Sequence, residues 1–255
     1  MDCAFLDLPD GRRIAYSHAP GAGPGIVFLC GFHSDMNGTK AQFLEERARA
    51  RGRAFLRFDY TGHGASSGDF AAGCIGDWAR DAADAIAILT EGPQILIGSS
   101  MGGWIALLIA RDVPARVAGL VGIAAAPDFT EDSIWAGLDA AGRARLLADG
   151  AVDMPSDEDA LWPITRRLIE DGREQLVLRA PLSLPFPVRL LQGSADEDVP
   201  LSVPLRLLAH ATCPDLRLTI VKDADHRFSA EADLELIDRT VEELVETISP
   251  EIPVG

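Results

Sequence analysis

Cysteine is scarce in this chain of 255 residues: Cys3, Cys30, Cys74 and Cys213 form no C-x-x-C pair, and no histidine cluster stands at zinc-binding spacing. Neither a disulfide framework nor a metal site is implied. Basic residues are also in deficit, with 23 Lys and Arg against 39 Asp and Glu and a formal charge of -16. Such a surface repels polyphosphates and anionic bilayers, so nucleic acid and membrane surfaces are excluded as expected partners. The longest apolar run, Val117 to Ala126, falls short of the roughly 18 residues of a membrane span. The amino terminus, with Asp2 and Asp7, has neither the basic start and apolar core of a signal peptide nor an Arg-rich transit helix. A cytoplasmic location of bacterial type is expected, where thiols stay reduced.

What remains is a globular composition, 47% hydrophobic and 24% charged, long enough for one large core. A single domain over residues 1–255 is expected. The one basic cluster, Arg47, Arg49, Arg51 and Arg53, ends a helical stretch that begins near Thr39, and reads as a solvated cap at the negative end of the helix dipole.

Short β-type runs alternate with helical patterns, as a parallel sheet with crossover helices requires. Residues 3–8 and 12–18 flank the turn Pro9-Asp10-Gly11 and read as a hairpin. Runs at 26–30, 54–58, 95–97, 117–123, 188–191 and 216–221 bring the sheet to about eight strands, most of them apolar on both faces. Helical stripes run through Trp78, Ala82, Ala85 and Leu89, and through Leu234, Ile237, Val241, Leu244 and Ile248. A third helix spans Leu201 to Ala211, and Met101 to Ala110 is apolar nearly all round, the mark of a buried helix. Residues 128–186 contain no strand run, only helical pieces, Asp and Pro breaks and exposed-looking Trp135 and Trp162. This stretch is expected to be a small helical cap.

Gly98-Ser99-Ser100-Met101-Gly102 fits G-x-S-x-G, the strained turn that lifts a serine between a strand and a helix. Gly64-Ala65-Ser66-Ser67-Gly68 fits it too, but in a loop with no apolar helix behind it, so Ser66 reads as turn chemistry and Ser100 as the nucleophile. A serine hydroxyl needs a base, and proteins using this turn order the partners as Ser, acid, His. Only His210 and His226 lie downstream. His210 ends a helix and reads as its cap, whereas His226 follows a strand at the carboxyl end where open α/β sheets place their sites. Asp196 is the expected acid, with Asp198 and Asp128 as competitors. The backbone N–H groups of Met101 and Phe32 are expected to form an oxyanion hole, Gly31 permitting their close approach. Cys30 reads as a packed strand residue.

With these residues in hand the chain resembles the α/β hydrolases, from about Ile26 to Ile248. Within them it resembles the branch of the mitochondrial palmitoyl-protein thioesterase and acyl-glucuronide esterase and its bacterial relatives. The resemblance rests on Cys30-Gly31-Phe32-His33-Ser34-Asp35-Met36-Asn37-Gly38-Thr39-Lys40, Arg57-Phe58-Asp59-Tyr60-Thr61-Gly62-His63-Gly64, Ile97-Gly98-Ser99-Ser100-Met101-Gly102-Gly103-Trp104 and Asp225-His226-Arg227. It implies an α/β-hydrolase fold and cleavage of acyl thioesters or carboxylic esters, on a small or lipidated substrate, through an acyl-enzyme. Ser100, Asp196 and His226 would form the triad, without a cofactor. Cys30 stands where the mitochondrial members tend to have proline before the oxyanion glycine, and no transit segment is seen. Alternatives are a small-molecule carboxylesterase or lactonase, and a catalytically silent ligand-binding scaffold.

Overall fold

A computed structural model describes residues 3–155 and 161–248. The flanking residues of the expected 1–255 domain, and residues 156–160 of the expected cap, lie outside the described residues.

The chain opens with β1 (Ala4–Asp7), β2 (Arg13–Ala19) and β3 (Ala22–Leu29), followed by α1 (Thr39–Ala50) and β4 (Arg53–Phe58). Then come α2 (Ile75–Leu89), β5 (Gln94–Ser99), α3 (Met101–Asp112) and β6 (Val117–Ile123). A long excursion holds α4 (Ala140–Asp149), β7 (Ala151–Pro155), β8 (Leu161–Thr165), α5 (Arg166–Glu174) and β9 (Leu182–Ser183). The chain closes with β10 (Val188–Gly193), α6 (Ser202–His210), β11 (Ala211–Thr212), β12 (Leu216–Val221) and α7 (Glu231–Ile248). Eight strands form one sheet in the order β1-β2-β4-β3-β5-β6-β10-β12. Pairing is antiparallel only at β1–β2 and β2–β4, as the opening hairpin predicts.

Register places the carboxyl ends of the parallel strands side by side: Leu29 opposite Gly98, Ser99 opposite Ile123, and Gly193 opposite Val221. Glycines on β5 and β6 let helices close on both faces. On one face a Cβ at Gly98 would sit 2.3 Å from the Gly102 carbonyl oxygen at the start of α3; on the other, a Cβ at Gly119 would meet Ile248 of α7 at 2.9 Å. Every residue of α3 from Met101 to Ala110 is buried, as its uniformly apolar sequence requires.

Two expectations change. The stretch 128–186 is not strand-free: β7 and β8 pair as an antiparallel hairpin, Ala151 opposite Thr165. Pro163, opposite Asp153, is tolerated because a two-stranded ribbon has only outer edges. Trp135 and Trp162 are half-buried rather than exposed. The arginine cluster is no simple solvated cap either. Arg53 belongs to β4, and Arg51 grips Asp238 on α7 with two bonds of 2.6 and 2.7 Å while Arg47 pairs with Glu235. Opposed charge on α7 captures these side chains more effectively than water does.

Behind β4 the chain turns through Asp59, whose carboxylate accepts the N–H of Met36 (2.6 Å) and of Ala65 (2.8 Å). Ser66 Oγ accepts the Ala15 N–H at 2.8 Å and donates to the Asp59 carbonyl at 2.6 Å, so the second G-x-S-x-G match is turn chemistry. His63 packs among the rings of Tyr60, Phe70 and Trp78, and burial pulls its pKa down to about 4. The unfolded chain therefore takes up a proton near pH 6.5 that the folded chain refuses until about pH 4, and stability falls as pH falls through that window. The loss is roughly 3 kcal/mol when complete. Thermal unfolding from pH 7 to pH 4 is expected to destabilise the wild type more steeply than His63→Phe; parallel curves would contradict this.

Candidate active site

Ser100 occupies the turn between β5 and α3 with φ 54° and ψ -120°, a backbone conformation costly for a residue with a side chain. Its N–H donates to the Ile123 carbonyl (2.9 Å), and its own carbonyl accepts from Gly103 and Ala126 at 2.9 and 3.1 Å. These bonds to β6 and the segment after it hold the strain in place. The two motif glycines are required by contact: beside the clash at Gly98, a Cβ at Gly102 would lie 2.0 Å from the Leu29 carbonyl oxygen at the end of β3.

His226 stands in the loop between β12 and α7. Its Nε2 is 3.0 Å from Ser100 Oγ, and its Nδ1 is 2.9 and 3.1 Å from the two oxygens of Asp196, which leaves the end of β10. The Asp196 side chain is 0% exposed and that of His226 23%. Burial works against the Asp196 charge, but hydrogen bonds from His226, the Val199 N–H and Gln192 outweigh it and hold the carboxyl below its usual range. The structure thus brings Ser100, His226 and Asp196 together in sequence-expected order.

The competitors are otherwise engaged. Asp198 is exposed, with Oδ2 3.9 Å from His226 Nε2, the nitrogen on the serine side. Asp128 is buried and accepts the N–H groups of Val177 (2.8 Å) and Leu178 (3.0 Å) and a bond from Arg179 (2.5 Å). His210 ends α6 as expected, and its Nε2 meets the Ala180 carbonyl at 2.8 Å, on the segment leading to β9. Asp196, Asp198 and His226 hold potential ligand atoms within 4.8 Å of one another, but the first and last are already committed to each other.

Gly31 passes close to the nucleophile: a Cβ there would touch Ser100 Cβ at 3.3 Å. The N–H of Phe32, next in the chain, and that of Met101, at the start of α3, take part in no hydrogen bond among the described residues. Both belong to residues beside Ser100, the positive end of the α3 dipole adding to the second. The Phe32 ring is wedged edge-on against Phe70, Phe129 and Trp162. Cys30 is buried with its thiol pushed well up by burial and then by the Asp59 charge, which makes it a packing residue.

A cavity of about 640 Å³ opens over Ser100 and His226. The excursion supplies an apolar wall from Phe129, Ile134, Met154, Trp162 and Ile164, while Ser34, Thr39, Lys40 and Arg227 line the more polar part. Lys40 donates to the Arg227 carbonyl, and burial lowers its pKa to about 8 against the pull of Asp225. Sequence reasoning missed the hairpin wall, Lys40 and Gln192. The first two had a faint signal, in the alternation of Val152, Met154 and Ile164 and in a lysine beside the quoted Gly38-Thr39 pair.

A sheet with this order, a strained serine at the strand–helix turn and a histidine on the following loops define a hydrolase of the α/β type. The chain belongs to the alpha/beta hydrolase family, whose family model matches residues 26–240. It is similar to the mitochondrial palmitoyl-protein thioesterase ABHD10 of Bos taurus, with 35% identity over 96% of this chain and 81% of that protein. Among solved structures, mouse alpha/beta hydrolase domain-containing protein 10 superposes with a TM-score of 0.91 at 34% identity, covering 98% of this chain and all (100%) of that one. A putative hydrolase from Agrobacterium vitis S4 gives the same TM-score of 0.91 at 37% identity, over 96% and 99% of the two chains. The resemblance read from the motifs is borne out, and the chain is an enzyme of the ester- and thioester-cleaving hydrolases.

The cytoplasmic location expected from the sequence is corrected by these relatives, since the bovine, rat and mouse proteins are all named as mitochondrial. Reduced thiols and an acidic surface suit a mitochondrial matrix as well as a cytoplasm, so composition had no power to separate the two.

Proposed function

We propose that the chain is a serine hydrolase that cleaves acyl thioesters or carboxylic esters through an acyl-enzyme, in the manner of an S-depalmitoylase. Ser100 is the nucleophile, His226 the base, Asp196 the acid, and Phe32 and Met101 the oxyanion donors. The observation that carries this reading is the unbroken chain from Ser100 Oγ through His226 to Asp196, at 3.0 and 2.9 Å. Nε2 takes the hydroxyl proton as Oγ attacks the acyl carbonyl, and the Phe32 and Met101 N–H groups stabilise the oxygen that becomes anionic. The carbon–sulfur or carbon–oxygen bond then breaks, His226 returning the proton where the leaving group needs one. Water, deprotonated by the same nitrogen, releases the carboxylic acid and restores Ser100.

We further infer that residues 128–186 of this one-domain chain serve as a cap whose apolar wall takes the acyl chain. The volume of about 640 Å³ falls within the usual range for a small-molecule site, and the relatives named palmitoyl-protein thioesterases support a long acyl group. No helix among the described residues is long and apolar enough to cross a membrane. The test compares hydrolysis of a palmitoyl thioester with that of a short-chain p-nitrophenyl ester. A higher kcat/KM for the thioester, lost in Met154→Asp, is the expected result. Turnover of the short ester alone would make the chain a small-molecule carboxylesterase.

A further inference from the structure

Gln192 is the penultimate residue of β10, opposite Ile220 of β12, and is 0% exposed. Its amide nitrogen donates twice, to Asp196 Oδ2 at 2.7 Å and to the Val199 carbonyl at 2.9 Å. Oδ2 is also the Asp196 oxygen nearer to His226 Nδ1. The other oxygen, Oδ1, is held by the N–H groups of Asp198 and Val199 at 3.0 and 2.8 Å. The carboxylate is therefore gripped on one oxygen by backbone, while on the other Gln192 is the side chain that joins the histidine.

The far end of the same amide makes the case stronger. Gln192 Oε1 is buried with no hydrogen-bond partner among the described residues. A buried acceptor without a donor is costly, and a strand between two helical layers could carry leucine at no such cost. Flipping the amide gives no relief, because Oε1 would then face the Asp196 carboxylate and the Val199 carbonyl, oxygen against oxygen. Only one orientation satisfies the neighbours, and it leaves Oε1 without a partner among the described residues. What the position gains is a donor on the acid.

We propose that Gln192 is a positioning residue for the reaction: its amide fixes the Asp196 carboxylate and, through it, the imidazole that faces Ser100. This rests on the assignment of Ser100, His226 and Asp196 given above. Gln192 touches no reacting atom, so its loss acts on the rate of the chemical steps and leaves substrate binding intact.

Two variants and two readouts test this. Gln192→Leu removes both donated bonds with little change in volume; it also removes the unpartnered oxygen but takes a donor from the Val199 carbonyl and from Asp196, so the chain is expected to stay folded with a modestly lower melting temperature. Its kcat on a p-nitrophenyl ester should fall roughly ten- to a hundredfold with KM within about twofold. The downfield proton resonance of the His226–Asp196 hydrogen bond should shift or vanish, as it should in an Asp196→Asn control. Gln192→Glu sets a second carboxylate against Asp196 and should lose more activity than the leucine variant. A folded Gln192→Leu with kcat within about twofold of wild type and an unmoved resonance would overturn the proposal. Should that chain not fold, Gln192→Met, which also lacks the donor, takes its place, and wild-type kcat and resonance there would overturn the proposal equally. A wild type that hydrolyses no ester would instead defeat the assignment of the site, and the resonance would still decide what Gln192 does to His226.

Discussion

Ser100→Ala is expected to lower kcat on a p-nitrophenyl ester by about a millionfold and to abolish labelling by a fluorophosphonate probe, with His226→Ala losing about as much. The two losses should not add in a double variant. Oγ is a poor nucleophile until Nε2, 3.0 Å away, takes its proton, so either residue alone contributes almost nothing. Asp196→Asn is expected to cost less, because backbone bonds from Val199 and the fold of the β12–α7 loop still hold the imidazole near its place. Turnover in Asp196→Asn equal to that of wild type would end the assignment of Asp196. A Ser100→Ala chain that stays folded, binds a palmitoyl thioester and leaves it uncut is the positive outcome. Labelling of that variant by the probe would move the nucleophile elsewhere.

Gly102→Ala should unfold the protein or come close, with a loss of more than about 4 kcal/mol. An added methyl would meet the Leu29 carbonyl oxygen at 2.0 Å, the Leu29 carbonyl carbon at 2.6 Å and the Cys30 carbonyl oxygen at 2.7 Å. All three are backbone atoms at the end of a central strand, so no side chain can swing aside. Relief requires β3 and α3 to part, which opens the most deeply buried layer of the molecule. Gly137→Ala is the matched control: nothing lies within 4 Å of the place its methyl would take, and stability there should hold or rise by up to about 1 kcal/mol. Urea unfolding of the two variants measures the contrast. Equal midpoints would mean that the elbow is far softer than its contacts imply.

Those contacts also explain why so much of this protein could be read from its residues. The strands of the main sheet were legible because the central ones are apolar runs buried on both faces and the first two flank a tight turn. The choice of Ser100 over Ser66 followed from what surrounds each serine. The hairpin of β7 and β8 was not legible. Its strands are short, one carries Pro163, and they pair only with each other, so no sheet pattern surrounds them. Asp196 could not be separated cleanly from Asp198 in sequence, because the difference lies in which carboxylate meets the backbone N–H groups two and three residues on. Gln192 reads as one polar letter in an apolar strand; its meaning depends on a partner four residues away that only the fold turns toward it. The arginines at the end of α1 misled for a related reason. A helix dipole is a local property, whereas Asp238 and Glu235 reach them from the far end of the chain.

Asp128 carries one more consequence. Its carboxylate stands at the exit from β6 and binds the N–H groups of Val177 and Leu178, at separations of 49 and 50 residues. The excursion is therefore tied back to its own point of departure, while Asp171 on the Gly76 N–H (2.7 Å) and the Gln175 carbonyl under Trp104 Nε1 (3.1 Å) fasten α5 to the body. The entropy of closing such a loop grows only with the logarithm of its length, so the part between Asp128 and α5 can lengthen or shorten at small entropic cost while both anchors stay. A segment of different shape spliced between Asp128 and α5 would inherit the same Ser100 and His226 beneath it. New substrates could then be reached by changing that segment while the chemistry below is left untouched.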